Sequence, residues 1–440
     1  MTFVRLIGRW AMTALVINCI IGGGIFGLPG ELTRLLGRAS PFAMILAALG
    51  MAVILACFAE VASQFSEPGG AYLYVRTAFG RFAGMQISWF DSLNMIATVA
   101  ALANLFVDYL ATFFSSSLSG WNRAMLMAIL IAIPAAANYR GVRNGANLST
   151  LMTVAKLLPL ALLILFGMAR FARHPEIIRP SEIAFHGLAN WVRAMVLLLF
   201  AFGGWEDSLL PAGEIKEPRR TIPFGLGIGL LGCALIYMLL QFIVVATIGT
   251  GETDAPLSAT ASALLGRGGA AFVVIAALVS IYGWISACML YAPRLAYSLS
   301  AQGDFPAVFA RLHPRFHTPT VAILFFAAAG WGLASSGTFL WLVALTSGTL
   351  MVLYAGGCAS LIRLRKLRPK ADAFRIPFGS ALSVVGIAIA ITLMTALKRR
   401  ELLLMCITAL IATANWLWAR HHHPELEPKA SAATAPLSLP

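Results

Sequence analysis

Charge is what this sequence has least of. Asp, Glu, Lys and Arg make up 11% of its 440 residues and apolar types 59%, where a soluble globular domain carries about 25% charge. That shortage excludes a soluble fold and predicts an integral membrane protein. Cysteine is sparse too. The six (Cys19, Cys57, Cys233, Cys288, Cys358, Cys406) all fall inside apolar runs and no two are spaced C-x-x-C. This excludes a disulfide framework and points to small packing residues. His421-His422-His423 has no carboxylate or cysteine cluster beside it, so it reads as a solvated tail and not a metal site. Paired carboxylates at helical spacing and a Ser/His/Asp set are missing as well, so no enzyme and no cofactor is expected. The N-terminus lacks a short apolar core followed by a small-residue cleavage site, so the first helix is expected to be retained.

What is present is apolar length. Cutting at the charged and Pro/Gly-rich seams leaves twelve runs, near 10–34, 40–63, 82–110, 122–138, 148–168, 190–211, 224–249, 269–299, 319–335, 338–362, 378–396 and 402–419. A helix needs about 20 such residues to cross hydrocarbon, so the expectation is an all-α protein of 12 transmembrane helices. No soluble domain fits between them. Residues 1–423 then form one polytopic domain, and 424–440 a disordered tail rich in Pro, Ala and Ser. The net charge of +14 has a topological explanation. With the N-terminus inside, the inner segments hold 20 Lys and Arg and the outer ones 11. The positive-inside rule therefore places both termini in the cytoplasm, in a cell inner (plasma) membrane, with anionic lipid and not nucleic acid as the basic loops' partner. Oligomeric state is not readable.

Two of the runs are interrupted by glycine. The first reads Ile20-Ile21-Gly22-Gly23-Gly24-Ile25-Phe26, then Pro29-Gly30; the second Phe200-Ala201-Phe202-Gly203-Gly204, then Glu206. Lipid offers backbone groups no hydrogen bonds, so a broken span is tolerated only where it lines a protein cavity. The breaks fall in the first and sixth runs, as a five-plus-five repeat over about 8–171 and 190–363 requires, with extra helices over 376–420. Such a pair marks a midplane binding site. At Gly22, Gly23 and Gly24 the freed N–H groups and the positive end of the following half-helix favour a carboxylate. At Phe200, Ala201 and Gly203 freed carbonyls favour an ammonium. A site with both suits a zwitterion, hence an α-amino acid. Close packing through small residues is the competing reading for the glycines. Phe200, Phe202, Trp205 and, from the eighth run, Trp284 are either cavity walls or packing.

Lys156 lies mid-run, where insertion costs roughly 2.5–3.5 kcal/mol. It is either a proton-coupling group or a structural donor to carbonyls freed by a neighbouring break. Glu206 either hydrogen-bonds unwound backbone or senses a proton. Asp207 faces either cavity or solvent. Glu60 reads as an end-of-helix acid, and Asn18, Ser92 and Asn94 as polar glue between helices. With no acidic pair evident in the cavity and space left by Gly203, a neutral or apolar amino acid is expected.

Residues Ile21 to Gly30 resemble the helix-one signature I-G-S-G-I-F-x-L-P-G of the amino acid–polyamine–organocation (APC) superfamily. Phe200 to Pro223 is similar to its F-x-F-x-G-x-E…A-G-E-x-x-x-P-x-R-x-I-P segment. Glu67 to Tyr74 resembles its P-x-G-G-x-Y-x-Y loop, and Arg294 with Ala301 to Pro306 loosely resembles R…A-x-D-G-x-x-P, Gln302 standing for the acid. The resemblance covers helices one to nine. It implies a leucine-transporter-type fold of two inverted five-helix repeats working by alternating access. It puts the substrate carboxylate on Gly22, Gly23 and Gly24, and the amino group at carbonyls matching Ile20, Phe200 and Gly203. Lys156 is similar to a helix-five lysine that occupies the sodium position in sodium-independent members. The family's Ser is Gly23 here, which removes a hydroxyl contact to the carboxylate. The expected function is therefore secondary amino acid transport, sodium-independent and proton-coupled. An amino acid/amine exchanger, or a membrane sensor that binds without transport, is the alternative.

Overall fold

The computed structural model describes residues 6–65, 69–113, 119–141, 145–174, 187–249, 253, 255–369 and 373–422, giving only backbone for 145–155. The expected tail at 424–440 and the Glu67-Pro68 part of the loop motif lie outside these. Among the described residues the chain is all helical, apart from an isolated bridge between Ile7 and Ile215.

The first run is split into α1 (Arg9–Ile20), α2 (Gly24–Gly27) and α3 (Pro29–Leu36). There follow α4 (Ser40–Ala62), α5 (Gly70–Phe79), α6 (Arg81–Ala111), α7 (Gly120–Arg140), α8 (Gly145–Arg173) and α9 (Gly187–Phe202). The remainder are α10 (Pro218–Ile248), α11 (Pro256–Ala301), α12 (Thr320–Ser336), α13 (Phe339–Leu367), α14 (Gly379–Met394) and α15 (Arg399–His422). Among the described residues eight helical stretches are long and apolar enough to cross a membrane, and α1, α12 and α14 are shorter apolar helices. The protein is a multi-pass membrane protein. Proline opens α3, α4, α10 and α11, where its missing N–H costs nothing.

Two helices lie outside the expected spans. α5 forms because Tyr72, Val75 and Ala78, with Tyr74, make one buried face at helical spacing. α11 runs longer than the run at 269–299 because residues 256–265 form a helix of their own, set off by a kink at Gly266 (φ 71°).

Small residues bring the inner helices together. On α10, Gly225 and Gly229 receive Met12 and Val16 of α1 so closely that a Cβ at either glycine would lie 2.4–2.5 Å from those side chains. This is the small-xxx-small contact that lets membrane helices approach. α13 packs on α6, α9 and α4, and α11 crosses α6 and α8. Large apolar side chains are left exposed on the outer helices, such as Leu49 on α4, Ile133 on α7 and Leu410 on α15, as a lipid-facing surface requires.

Two buried acids fasten one end of the bundle. Asp304, after α11, accepts from Arg81 Nε at 2.7 Å, Arg76 at 2.8 Å and the Tyr72 hydroxyl, while its carbonyl takes Asn415 of α15 at 2.7 Å. Burial and the Asp304 carboxylate push the Tyr72 phenol above its ordinary range, so it stays a donor. Glu60, at the end of α4, is gripped by Arg365 of α13 at 2.7 and 2.6 Å and by the Ile376 N–H at 2.9 Å. Its reading as an end-of-helix acid matches this placement.

Candidate substrate site between two helix breaks

α1 ends where Ile21 turns extended (ψ 90°), and α2 resumes at Gly24. The N–H groups of Gly22 and Gly23 find no acceptor among the described residues. The carbonyls on the other side of the gap are held by side chains from elsewhere. Lys156 of α8 donates to Asn18 O at 2.6 Å and Ile21 O at 2.8 Å, and the Tyr237 hydroxyl of α10 donates to Ile20 O at 2.9 Å.

The second break is built differently. After α9, Gly204 adopts a left-handed conformation (φ 90°) and a 3-10 turn follows over Trp205–Leu209. A Cβ at Gly204 would stand 2.7 Å from the Cys19 carbonyl of α1, so glycine is required there both by conformation and by space. The Gly203 N–H turns onto Phe200 O at 3.3 Å, while the Gly203 carbonyl receives no backbone hydrogen bond from a described residue. Glu206 accepts from the Gly204 N–H at 3.1 Å and from the Tyr354 hydroxyl of α13 at 3.0 Å.

Between the breaks lies a cavity of about 40 Å³, room for about three waters at 10–15 Å³ each. Of the expected site residues, Ile20, Gly22, Gly23, Gly24, Phe200, Gly203, Trp284 and Glu206 line it. Ala201 does not; its Cα would be 2.8 Å from a Cβ at Gly24, so it seats α2 against α9. Lys156 does not line the cavity either and sits behind the first break. Trp284 lies so close to Gly22 that a Cβ there would be 2.2 Å from the indole nitrogen.

Phe202 and Trp205 are packing residues. Phe202 is buried against Tyr237 with centroids 5.1 Å apart, and Trp205 stacks on Tyr354 at 5.4 Å. Asn94 lines the cavity and accepts from Thr349 at 3.3 Å, beyond a role as glue alone. Asp207 faces the cavity. The expectation of a cavity without an acidic pair is thus corrected: the 3-10 turn buries Trp205, Ser208 and Leu209 in the protein and leaves Glu206 and Asp207 on the cavity side. Sequence reasoning also missed Met95 and Thr98, which share the Asn94 face of α6, and Thr346 and Leu350 of α13. The i, i+4 recurrence on α6 was a usable signal, whereas α13 offered none.

Open N–H groups at Gly22 and Gly23 and the open Gly203 carbonyl make a polar site on one cavity inside the apolar bundle. In keeping with it, the amino acid permease family model matches residues 7–417, and the chain belongs to that family, within the APC superfamily. Relatives include the serine/threonine exchanger SteT of Bacillus subtilis, 29% identical over 72% of this chain and 74% of its own. The methylthioribose transporter of the same organism is 25% identical over 96% and 95%. The arginine/agmatine antiporter of Chlamydia pneumoniae is 24% identical over 89% and 85%.

Proposed function

We propose that the protein is a secondary active transporter that moves an amino acid across the cytoplasmic membrane by alternating access, independent of sodium and coupled to protons. The observation that carries this reading is the pair of breaks, with open N–H groups at Gly22 and Gly23 and the open Gly203 carbonyl lining one cavity. The N–H groups and the start of α2 hold the substrate carboxylate, and the Gly203 carbonyl holds its ammonium. Two inverted repeats, about 8–171 and 190–363, rock against each other around this fixed site, with both termini cytoplasmic.

Lys156 supports sodium independence. Its ammonium already holds the Asn18 and Ile21 carbonyls, hard oxygen ligands of the kind a sodium ion takes. A fixed cation on them leaves sodium nothing to coordinate. A buried lysine is also a group that readily gives up and regains a proton, and Glu206, on the cavity side, is a second carrier.

The test is uptake into proteoliposomes. An inward proton gradient should drive saturable accumulation of an amino acid, and a sodium gradient alone should not. Accumulation that needs sodium and ignores pH would overturn the coupling. Exchange is the second reading, supported by two relatives named exchanger and antiporter. It predicts uptake only when the vesicles are preloaded with a counter-substrate.

A further inference from the structure

Three carboxylic acids meet at the cavity, and the site described so far uses one of them. Glu206 accepts from the Gly204 N–H and the Tyr354 hydroxyl. Asp207, next to it on the 3-10 turn, lines the same space and takes no hydrogen bond or ion pair from a described residue. Asp91 of α6 lies one turn before Asn94 and Met95 and two before Thr98, so it belongs to the helix face that reaches the cavity. It stands within electrostatic reach of both Asp207 and Glu206, likewise without such a partner among the described residues.

No cation answers these acids. No Lys, Arg or His is among the described residues that line the cavity, and Lys156 donates to the Asn18 and Ile21 carbonyls behind the first break. The other titratable groups around Asp207 are thiols and phenols, which carry no positive charge: Cys19 of α1, Cys288 and Tyr291 of α11 and, through Glu206, Tyr354 of α13. α5 packs on the end of the turn at Leu210, and its Tyr72 and Arg76 are held by Asp304. A separate group calls for a hydrogen-bond donor in the cavity. Thr346 lines it, is 2% exposed, and its hydroxyl has no hydrogen-bond partner among the described residues. A buried oxygen of this kind is costly unless something donates to it. A protonated carboxyl, directly or through one water, is such a donor.

Like charges this close, with no cation beside them, do not all stay ionised in an enclosed space. Water is what an ionised Asp207 needs, and the cavity has room for about three molecules. A substrate bound between the breaks displaces that water. Occupancy therefore favours the protonated acid, and opening to a watery side favours release of its proton. Resting on the transport reading above, we infer that Asp207, paired with Asp91, is the group that takes up the cotransported proton together with the substrate. The proton adds to a carboxylate oxygen of Asp207 as the cavity closes. It leaves to water when the cavity opens to the cytoplasm, and no other covalent bond is made or broken. On the cavity side Asp207 is the first carrier, ahead of Glu206, whose Oε2 already holds the Gly204 and Tyr354 donors.

The test uses the intact protein in proteoliposomes with a radiolabelled mixture of the protein L-amino acids. It compares the wild type with Asp207→Asn, Asp207→Glu and Asp91→Asn. Two quantities are measured: accumulation under an inward proton gradient, and gradient-free exchange into preloaded vesicles over a range of pH. At one proton per substrate, a gradient of about one pH unit should drive roughly tenfold accumulation by the wild type. Asp207→Asn should lose that accumulation, while its exchange continues at a rate that no longer varies with pH. Asp207→Glu keeps the carboxyl and should retain most of the accumulation. Asp91→Asn removes the like charge beside Asp207, so its exchange profile should move to lower pH by about one unit. An Asp207→Asn protein that accumulates as the wild type does overturns the inference. So does an Asp91→Asn profile identical to the wild type's, an outcome read with Asp207 in place and therefore decisive even if Asp207→Asn does not fold. Wild-type exchange that ignores a proton gradient removes the coupling and this inference together, and leaves amino acid transport standing. Failure to carry any amino acid is the separate outcome that removes the transport reading itself.

Discussion

The two helix breaks solve one problem by opposite means. At the first, carbonyls released by the end of α1 are taken up by side chains of distant helices, Lys156 from α8 and Tyr237 from α10. At the second, the Gly203 carbonyl stays open and the capping is local: Glu206 caps the N–H of Gly204 two residues before it, and among the described residues Tyr354 of α13 is the side chain that reaches Glu206 from elsewhere. The shape of the first break therefore depends on tertiary packing, and that of the second on local sequence. A transporter gains from this difference. A break held by other helices changes when those helices move, so on the transport mechanism proposed above the first is expected to couple substrate to Lys156. The second is the stiffer wall against which the site is built.

The breaks touch at Gly204 and Cys19, and the largest effect is expected there. Gly204→Ala places a methyl 2.7 Å from the Cys19 carbonyl, a backbone atom that cannot swing aside, and forces a non-glycine residue to φ 90°. Left-handed strain alone costs about 1–3 kcal/mol, so the purified variant should melt well below the wild type and lose uptake. Gly232→Ala is the control. Its methyl would meet Ile17 at 3.7 Å, ordinary contact in a helix interior, where alanine is preferred by about 1 kcal/mol. Equal melting temperatures for the two variants would mean the breaks are not in contact as described.

Next in size is Lys156→Ala. It strips the Lys156 donor from the Asn18 and Ile21 carbonyls in a buried setting, a loss of about 1–3 kcal/mol where the Ile21 oxygen is left unsatisfied. Accumulation against a gradient should be abolished, measured as the steady-state inside-to-outside ratio in proteoliposomes. Normal accumulation by the variant would reduce Lys156 to scaffolding and sever the first break from any energy source.

How much of this was legible beforehand follows from the same contrast. Both breaks were readable because glycine runs inside apolar spans are conspicuous, and Lys156 because a mid-span charge is costly. The locally capped second break was nearly complete in the sequence: glycine pair, Glu206 and the following turn lie within a few residues. The partners of the first break were not. Tyr237 is one tyrosine in a long apolar helix, and nothing local says that its hydroxyl meets Ile20 some 217 positions away. The direction of Asp207 was equally hidden, because it depends on a 3-10 turn in place of an α-helix. Asp304 escaped for a related reason. Its partners Arg76 and Arg81 lie 228 and 223 residues away, and they were read only as part of a topological charge bias.

The smallest effects separate the two repair strategies most finely. Tyr237→Phe and Tyr354→Phe each delete one hydroxyl and leave the ring packing intact. The first removes a neutral bond of 2.9 Å to a backbone carbonyl of the break, worth about 1 kcal/mol net, or roughly a fivefold rise in KM. The second removes a donor to Glu206 at 3.0 Å, but the Gly204 N–H remains on that carboxylate, so the self-contained break should keep its shape. The Tyr237 variant should therefore lose substrate affinity, and the Tyr354 variant should bind nearly as the wild type does. Uptake KM measured side by side distinguishes them. If Tyr354→Phe raises KM more than Tyr237→Phe, the second break also relies on its neighbours, and the stiff wall and the coupled wall exchange places.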